Sequence, residues 1–189
     1  MFQPEVKLKF IERYCNPHNG WTVYVDIDAS EEGRTGGERE NQASIARKSE
    51  MQTQAESVKD RLRRINVTIG GGLSNWIMDI NGVPDIKGDP DIVAIHKGKN
   101  TIIIAETEGE SSGQPEQKLY RAIGQIIKRL SGLNSDGWTI KYVLVVFGDK
   151  IEAHLREVKA LERLGVSGVA LNEHDYNQDA WVFGRMLSK

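Results

Sequence analysis

The chain has 189 residues, 39% of them hydrophobic and 28% charged, and a net charge of −2. This length suits one domain with a core of ordinary size, and the composition excludes collagen-like, low-complexity and disulfide-scaffold chains. The longest apolar runs fall far short of the roughly 20 residues that cross a bilayer, and the start MFQPEVKLKF lacks an apolar signal core, so the expectation is an intracellular, cytoplasmic protein with no membrane partner.

In chain order, residues 3–15 carry Val6, Phe10, Ile11 and Tyr14 at helical spacing. The lone Cys15 rules out an intrachain disulfide, has no Cys or His near it to make a zinc site, and reads as a small apolar helix residue. Residues 21–28, WTVYVDID, read as a strand, and the polar, Gly-rich stretch 29–42 as a loop. Residues 43–64 form a long helical pattern with few large apolar side chains (Ile45, Met51, Val58, Leu62), which suits a surface helix or one lining a groove. A short strand at 66–69 leads into Gly70-Gly71-Gly72, which no Gly-Lys-Ser/Thr follows, so it is not a phosphate loop. After Trp76, Ile77, Met78 and Ile80 come two Pro-Asp pairs, and then strands at 91–95 and 101–107 joined by a turn at 97–100. Pro115 opens a helix reaching about Leu130. An apolar strand at 139–147, a helix at 151–164 stopped by Gly165, a strand at 166–171 and a final helix at 175–186 capped by Asp175 complete the chain. This alternation predicts an α/β fold: a mixed central sheet flanked by helices, in a single domain over 1–189.

Along 101–108 the side chains alternate, so Ile102, Ile104, Glu106 and Glu108 share one face while Ile103, Ala105 and Thr107 share the other. Two core-type isoleucines followed in register by two carboxylates mark a face that turns from apolar to charged. Asp91 opens the preceding strand, so a hairpin sets it beside Glu106. Like charges directly opposite are destabilising, and a bound cation removes that cost. Asp85 and Asp89 compete with Asp91, which is preferred because it directly precedes the apolar run. Asp26 and Asp28 share a strand face and read as edge-strand residues before ligands. The net charge offers no overall basic surface, but Lys59, Arg61, Arg63 and Arg64 form one local patch and Lys118, Arg121, Lys128 and Arg129 another.

This arrangement resembles the PD-(D/E)xK nuclease superfamily, which includes many restriction endonucleases and Holliday junction resolvases. Pro90-Asp91 matches its Pro-Asp, and Glu106-Thr107-Glu108 its acidic-x-Lys, with Glu in place of Lys. The following helix with Gly124-Gln125 and the next apolar strand fit the family's order over roughly residues 84–172, leaving 1–83 as an N-terminal embellishment. The resemblance implies a restriction endonuclease-like αβββαβ core and a metal-dependent endodeoxyribonuclease, of restriction type, working on DNA as a homodimer. It implies Mg²⁺ (Mn²⁺ as substitute) on Asp91, Glu106 and a carbonyl near Thr107, with Glu108 orienting or deprotonating the attacking water. Lys118 then supplies the positive charge that Glu108 cannot. Arg61, Arg63, Arg64, Arg121 and Gln125, with the loop at 33–37, are the expected DNA contacts, and Glu50 or Glu56 an extra ligand. Two alternatives stay open: a non-catalytic DNA-binding or protein-interaction module on the same scaffold, and a resolvase-like enzyme acting on branched DNA.

Overall fold

A computed structural model describes residues 1–28, 42–80, 82–86, 88–109, 114–130 and 137–184. The Gly-rich stretch at 29–41, and with it the expected DNA-contacting loop at 33–37, lies outside the described residues. The chain runs α1 (Gln3–Tyr14), β1 (Thr22–Val25), α2 (Gln42–Arg64), β2 (Thr68–Ile69), α3 (Leu73–Met78), β3 (Ile92–His96), β4 (Thr101–Glu108), α4 (Pro115–Leu130), β5 (Thr139–Val146), α5 (Asp149–Glu157), β6 (Val166–Ala170) and β7 (Ala180–Phe183). The strands form one mixed sheet in the order β2-β1-β3-β4-β5-β6-β7. The meander β1-β3-β4 is antiparallel, and β5 and β6 continue parallel to β4.

The central strands are apolar on both faces because both faces are covered. Ile92, Ala94, Ile103 and Ala105 meet Val6, Phe10 and Ile11 of α1 and Val58 and Leu62 of α2. Val93, Ile95, Ile102 and Ile104 meet Leu73 of α3, Leu119, Ala122 and Ile126 of α4, and Ile151 and Leu155 of α5. Each fully buried Val, Leu, Ile or Phe among them contributes about 1.5–3 kcal/mol of apolar burial, which fixes the meander between α1 and α2 on one face and α4 on the other. Among the described residues, no helix is long and apolar enough to cross a membrane.

Three expectations change. The helix expected at 151–164 is α-helical only as α5, and continues as tighter 3₁₀ turns over Lys159–Leu164. Of the helix expected at 175–186, residues 185 and 186 lie outside the described residues, and 175–184 do not form a helix. Asp175 does cap, accepting from the Asn177 N–H at 2.8 Å, but it caps a single 3₁₀ turn that leads into β7. Trp181, Val182 and Phe183 are strand formers, and β6 offers Phe183 a place: it pairs with Gly168, where a Cβ would stand 2.6 Å from the Phe183 ring. Finally, β1 is not an edge strand, because β2 pairs outside it.

Candidate functional site

The ladder pairs Val25 with Ile92 and Ile92 with Ala105. Continued by one position, it sets Asp91 between Asp26 on one side and Glu106 on the other, and the Asp26 N–H donates to the Asp91 carbonyl at 2.9 Å. Three acids therefore stand in a row across three neighbouring strands, with Glu108 two residues further along β4. Asp91 and Glu106 are brought together as the hairpin predicts. Asp26 joins them because β1 pairs with β3 in that register.

The side chains are less convergent than the backbones. The Asp91 Oδ2 accepts from the Thr107 N–H at 2.7 Å and from its hydroxyl at 2.9 Å. The Asp91 Oδ1 lies 2.9 Å from the Lys7 ammonium. Lys7 is only 1% exposed and also donates to the Asp26 carbonyl at 2.6 Å. One turn earlier on the same face of α1, the Gln3 amide donates to the Thr107 carbonyl at 2.7 Å and lies 3.4 Å from Asp91 Oδ2. The start of α1 reaches this depth because residue 109 is glycine: a Cβ there would come 2.7 Å from the Gln3 nitrogen and 2.9 Å from the Met1 carbonyl.

Glu106 turns the other way, toward α4. It is 2% exposed and ion-pairs through Oε1 with Arg129 Nη1. The pair is close but not aligned as a hydrogen bond, so Glu106 Oε1 and Arg129 Nε and Nη1 are buried without a hydrogen-bond partner. Burial, then the charge of Asp91, pushes the Glu106 carboxyl up to about 8, against the pull of Arg129 and Lys7. Burial first, and then Asp91, also pushes Glu108 up to about 7, with Lys118 and Arg121 pulling it down. Asp26 is raised by burial and by Asp91, Asp28 and Asp89, with Lys7 opposing. The row is thus short of positive charge even with Lys7 and Arg129 inside it.

The donor set suits a hard divalent cation in its chemistry: all oxygen, crowded, with a buried Glu106 oxygen that no hydrogen bond satisfies. The arrangement is not that of a formed metal centre. Among the described residues, no group of three or more His, Cys, Asp or Glu side chains is placed to hold a metal ion. The reason is visible in the contacts: Lys7 and Gln3 hold Asp91 and the Thr107 carbonyl from one face of the sheet, and Arg129 holds Glu106 from the other.

Of the other expected residues, Lys118 is half-buried and Arg121 exposed on α4, both close enough to Glu108 to shift it, and Gln125 is half-buried further along that helix. Arg61 is tied to Glu12 of α1 at 2.7 Å, Arg63 to Asp60 at 2.8 Å, and Arg64 is exposed. A groove of about 330 Å³ runs between α2 and the sheet, lined by Ile27, Lys59, Arg63, Val67, Ile69 and Gly70. Its wall therefore begins one residue after Asp26. Glu50 and Glu56 are exposed and bond along their own helix, to Gln54 at 3.4 Å and Lys59 at 3.3 Å, so the structure does not bring them to the acid row as extra ligands.

Sequence reasoning did not find Gln3 and Lys7, and it placed Arg129 in a basic surface patch, whereas its side chain is buried against Glu106. A faint signal exists for two of them. Lys7 stands three and four residues before Phe10 and Ile11, inside the apolar stripe of α1, and Arg129 continues the stripe Ala122, Ile126 on α4. A cation at a core position calls for a buried anion opposite. No protein-family model, curated protein or solved structure matches this chain.

Proposed function

We propose that this protein is a divalent-metal-dependent nuclease of the PD-(D/E)xK type that hydrolyses phosphodiester bonds in DNA. The acid row Asp26, Asp91, Glu106 carries this assignment, since it stands at one end of the antiparallel run β1-β3-β4, which α1 precedes in the chain and α4 and the parallel strand β5 follow, with α2, β2 and α3 inserted between β1 and β3. With those insertions set aside, the order is consistent with the αβββαβ core that the resemblance implies, and it supports a core that starts in α1 and β1 rather than at residue 84.

Asp91 and Glu106, with the Thr107 carbonyl, are the groups that would hold Mg²⁺ or Mn²⁺. When bound, the metal supplies Lewis-acid stabilisation of the charge that develops on the phosphate. Glu108 takes the proton of the attacking water. Its carboxyl, held up to about 7 by burial and by Asp91, is matched to proton transfer near neutral pH. Lys118 and Arg121 stand beside Glu108, where they contact the phosphate flanking the reacting one. Because severing a duplex takes two such sites, the working unit is a pair of chains.

The test is incubation with supercoiled, linear and branched DNA in Mg²⁺ and in Mn²⁺. Cleavage that vanishes in Asp91→Ala and Glu106→Gln, both retaining the wild-type circular dichroism spectrum, is the expected result. A preference for branched over linear substrate would make the enzyme resolvase-like. One observation favours a second reading: with Lys7 and Arg129 already on the acids, the same scaffold can serve as a non-catalytic DNA-binding module. Wild-type protein that binds DNA but cuts none of the three substrates in either metal would establish that reading instead.

A further inference from the structure

We propose that Lys7 is an internal counter-cation of the acid row, which a divalent metal must displace from Asp91, so that α1 sets how tightly the site takes its metal, an inference that rests on the nuclease function proposed above. Lys7 brings an ammonium into direct contact with the row: Nζ lies 2.9 Å from Asp91 Oδ1 and 2.6 Å from the Asp26 carbonyl oxygen. At 1% exposure its charge is almost wholly removed from water, which is tolerable only against an anion and a well-made hydrogen bond.

The oxygen it occupies is one that a metal at the row would need. The Gln3 amide, one turn away, caps the Thr107 carbonyl in the same manner, so the inner face of α1 covers two of the three expected donors. A dication and an ammonium on the same carboxylate oxygen repel, so occupation is exclusive rather than shared. Lys7 does not have to leave the site when it yields Asp91. The Asp26 carbonyl keeps a second hold on it, one strand away, and a released ammonium there remains beside the reacting centre. This gives the site a lysine from α1 at a point in the fold where β4 carries Glu108. Lys118 is differently disposed, because it faces Glu108 from α4.

The experiment is Mn²⁺ titration of the whole chain by calorimetry, without DNA. Lys7→Gln keeps a donor for the Asp26 carbonyl but loses the charge. Its Mn²⁺ dissociation constant should fall at least about tenfold, because one unit charge no longer opposes the dication, while Lys7→Arg should stay near wild type. Unchanged or weaker Mn²⁺ binding in a folded Lys7→Gln chain overturns the proposal, and so does an absence of Mn²⁺ binding in both chains. Should Lys7→Gln not fold, the wild-type chain answers alone. The ¹⁵N signal of the Lys7 ammonium should shift on saturation with Mg²⁺ and should not do so in Asp91→Asn, and an unmoved signal overturns the proposal. These outcomes are independent of DNA cleavage. Wild type that binds Mn²⁺ competitively with Lys7 and yet cuts no DNA would defeat the nuclease function while leaving Lys7 in its role.

Discussion

At the residue scale, Glu106 is the side chain whose protonation couples most directly to folding. Its carboxyl sits at about 8 in the folded chain against an ordinary 4.5, first because it is buried and then because Asp91 stands beside it. In the interval between those values the folded chain holds a proton that the unfolded chain has lost. Stability is therefore fully present below about 4.5 and declines as pH rises toward about 8. Glu108 acts in the same sense between 4.5 and about 7. The metal-free protein should melt at progressively lower temperature across that range. Glu106→Gln, which mimics the protonated carboxyl, should flatten the dependence. The measurement is the melting temperature of both chains at half-unit pH steps, with chelator present. A wild-type profile parallel to that of Glu106→Gln would mean that Glu106 is ionised throughout, and that Arg129 compensates it fully.

At the scale of elements, β7 is tied to α1 by one buried carboxylate. Asp179 accepts from Arg13 Nη1 at 2.6 Å, from the Asn172 N–H at 2.6 Å and from the Tyr14 hydroxyl at 2.8 Å. Its side chain is fully buried, and Arg13 is 12% exposed. Removing one partner of such a pair leaves the other charge buried without compensation, so Asp179→Ala should cost about 3–5 kcal/mol by urea unfolding. A loss under 1 kcal/mol would mean that β7 is held by its ladder to β6 alone. This tie also marks what the sequence could convey. The β3–β4 hairpin and α4 were legible because their signals are local: continuous apolar runs around a turn, and an apolar stripe at helical spacing. The adjacency of Asp91 and Glu106 followed from hairpin register. The strand β7 was not legible, because Asp175 and its neighbours resemble a helix start, and what decides against a helix is the place that Gly168, in a different strand, leaves for the Phe183 ring. The cations of the site were hidden for the same reason. Lys7 and Arg129 look like interruptions of helical stripes until the fold brings Asp91 and Glu106 against them.

For the whole molecule, a net charge of −2 gives DNA no long-range attraction, so the affinity that the proposed function requires must come from local cations. Two groups stand on opposite faces of the sheet: Lys59 and Arg63 along the groove beside α2, and Lys118 and Arg121 on α4. The acid row lies between them, with Ile27 of the groove next to Asp26 on one side and Glu108 next to Lys118 and Arg121 on the other. A duplex laid across this end of the sheet would meet both groups. Each phosphate contact releases counterions, so Arg63→Gln and Arg121→Gln should each weaken binding and each lower the slope of log affinity against log salt by about 1. Fluorescence anisotropy without Mg²⁺ keeps cleavage out of the measurement. The double variant decides the path of the DNA. If one duplex spans both faces, the two losses of slope add to about 2, since the two sites stand on opposite faces of the sheet. If only one face is used, the double variant matches one of the singles, and the other cations serve Glu108 or solubility alone. Affinity indifferent to salt and to both substitutions would count against DNA as the substrate, because a chain of this net charge can hold a polyanion against four carboxylates only through local cations whose contacts depend on salt.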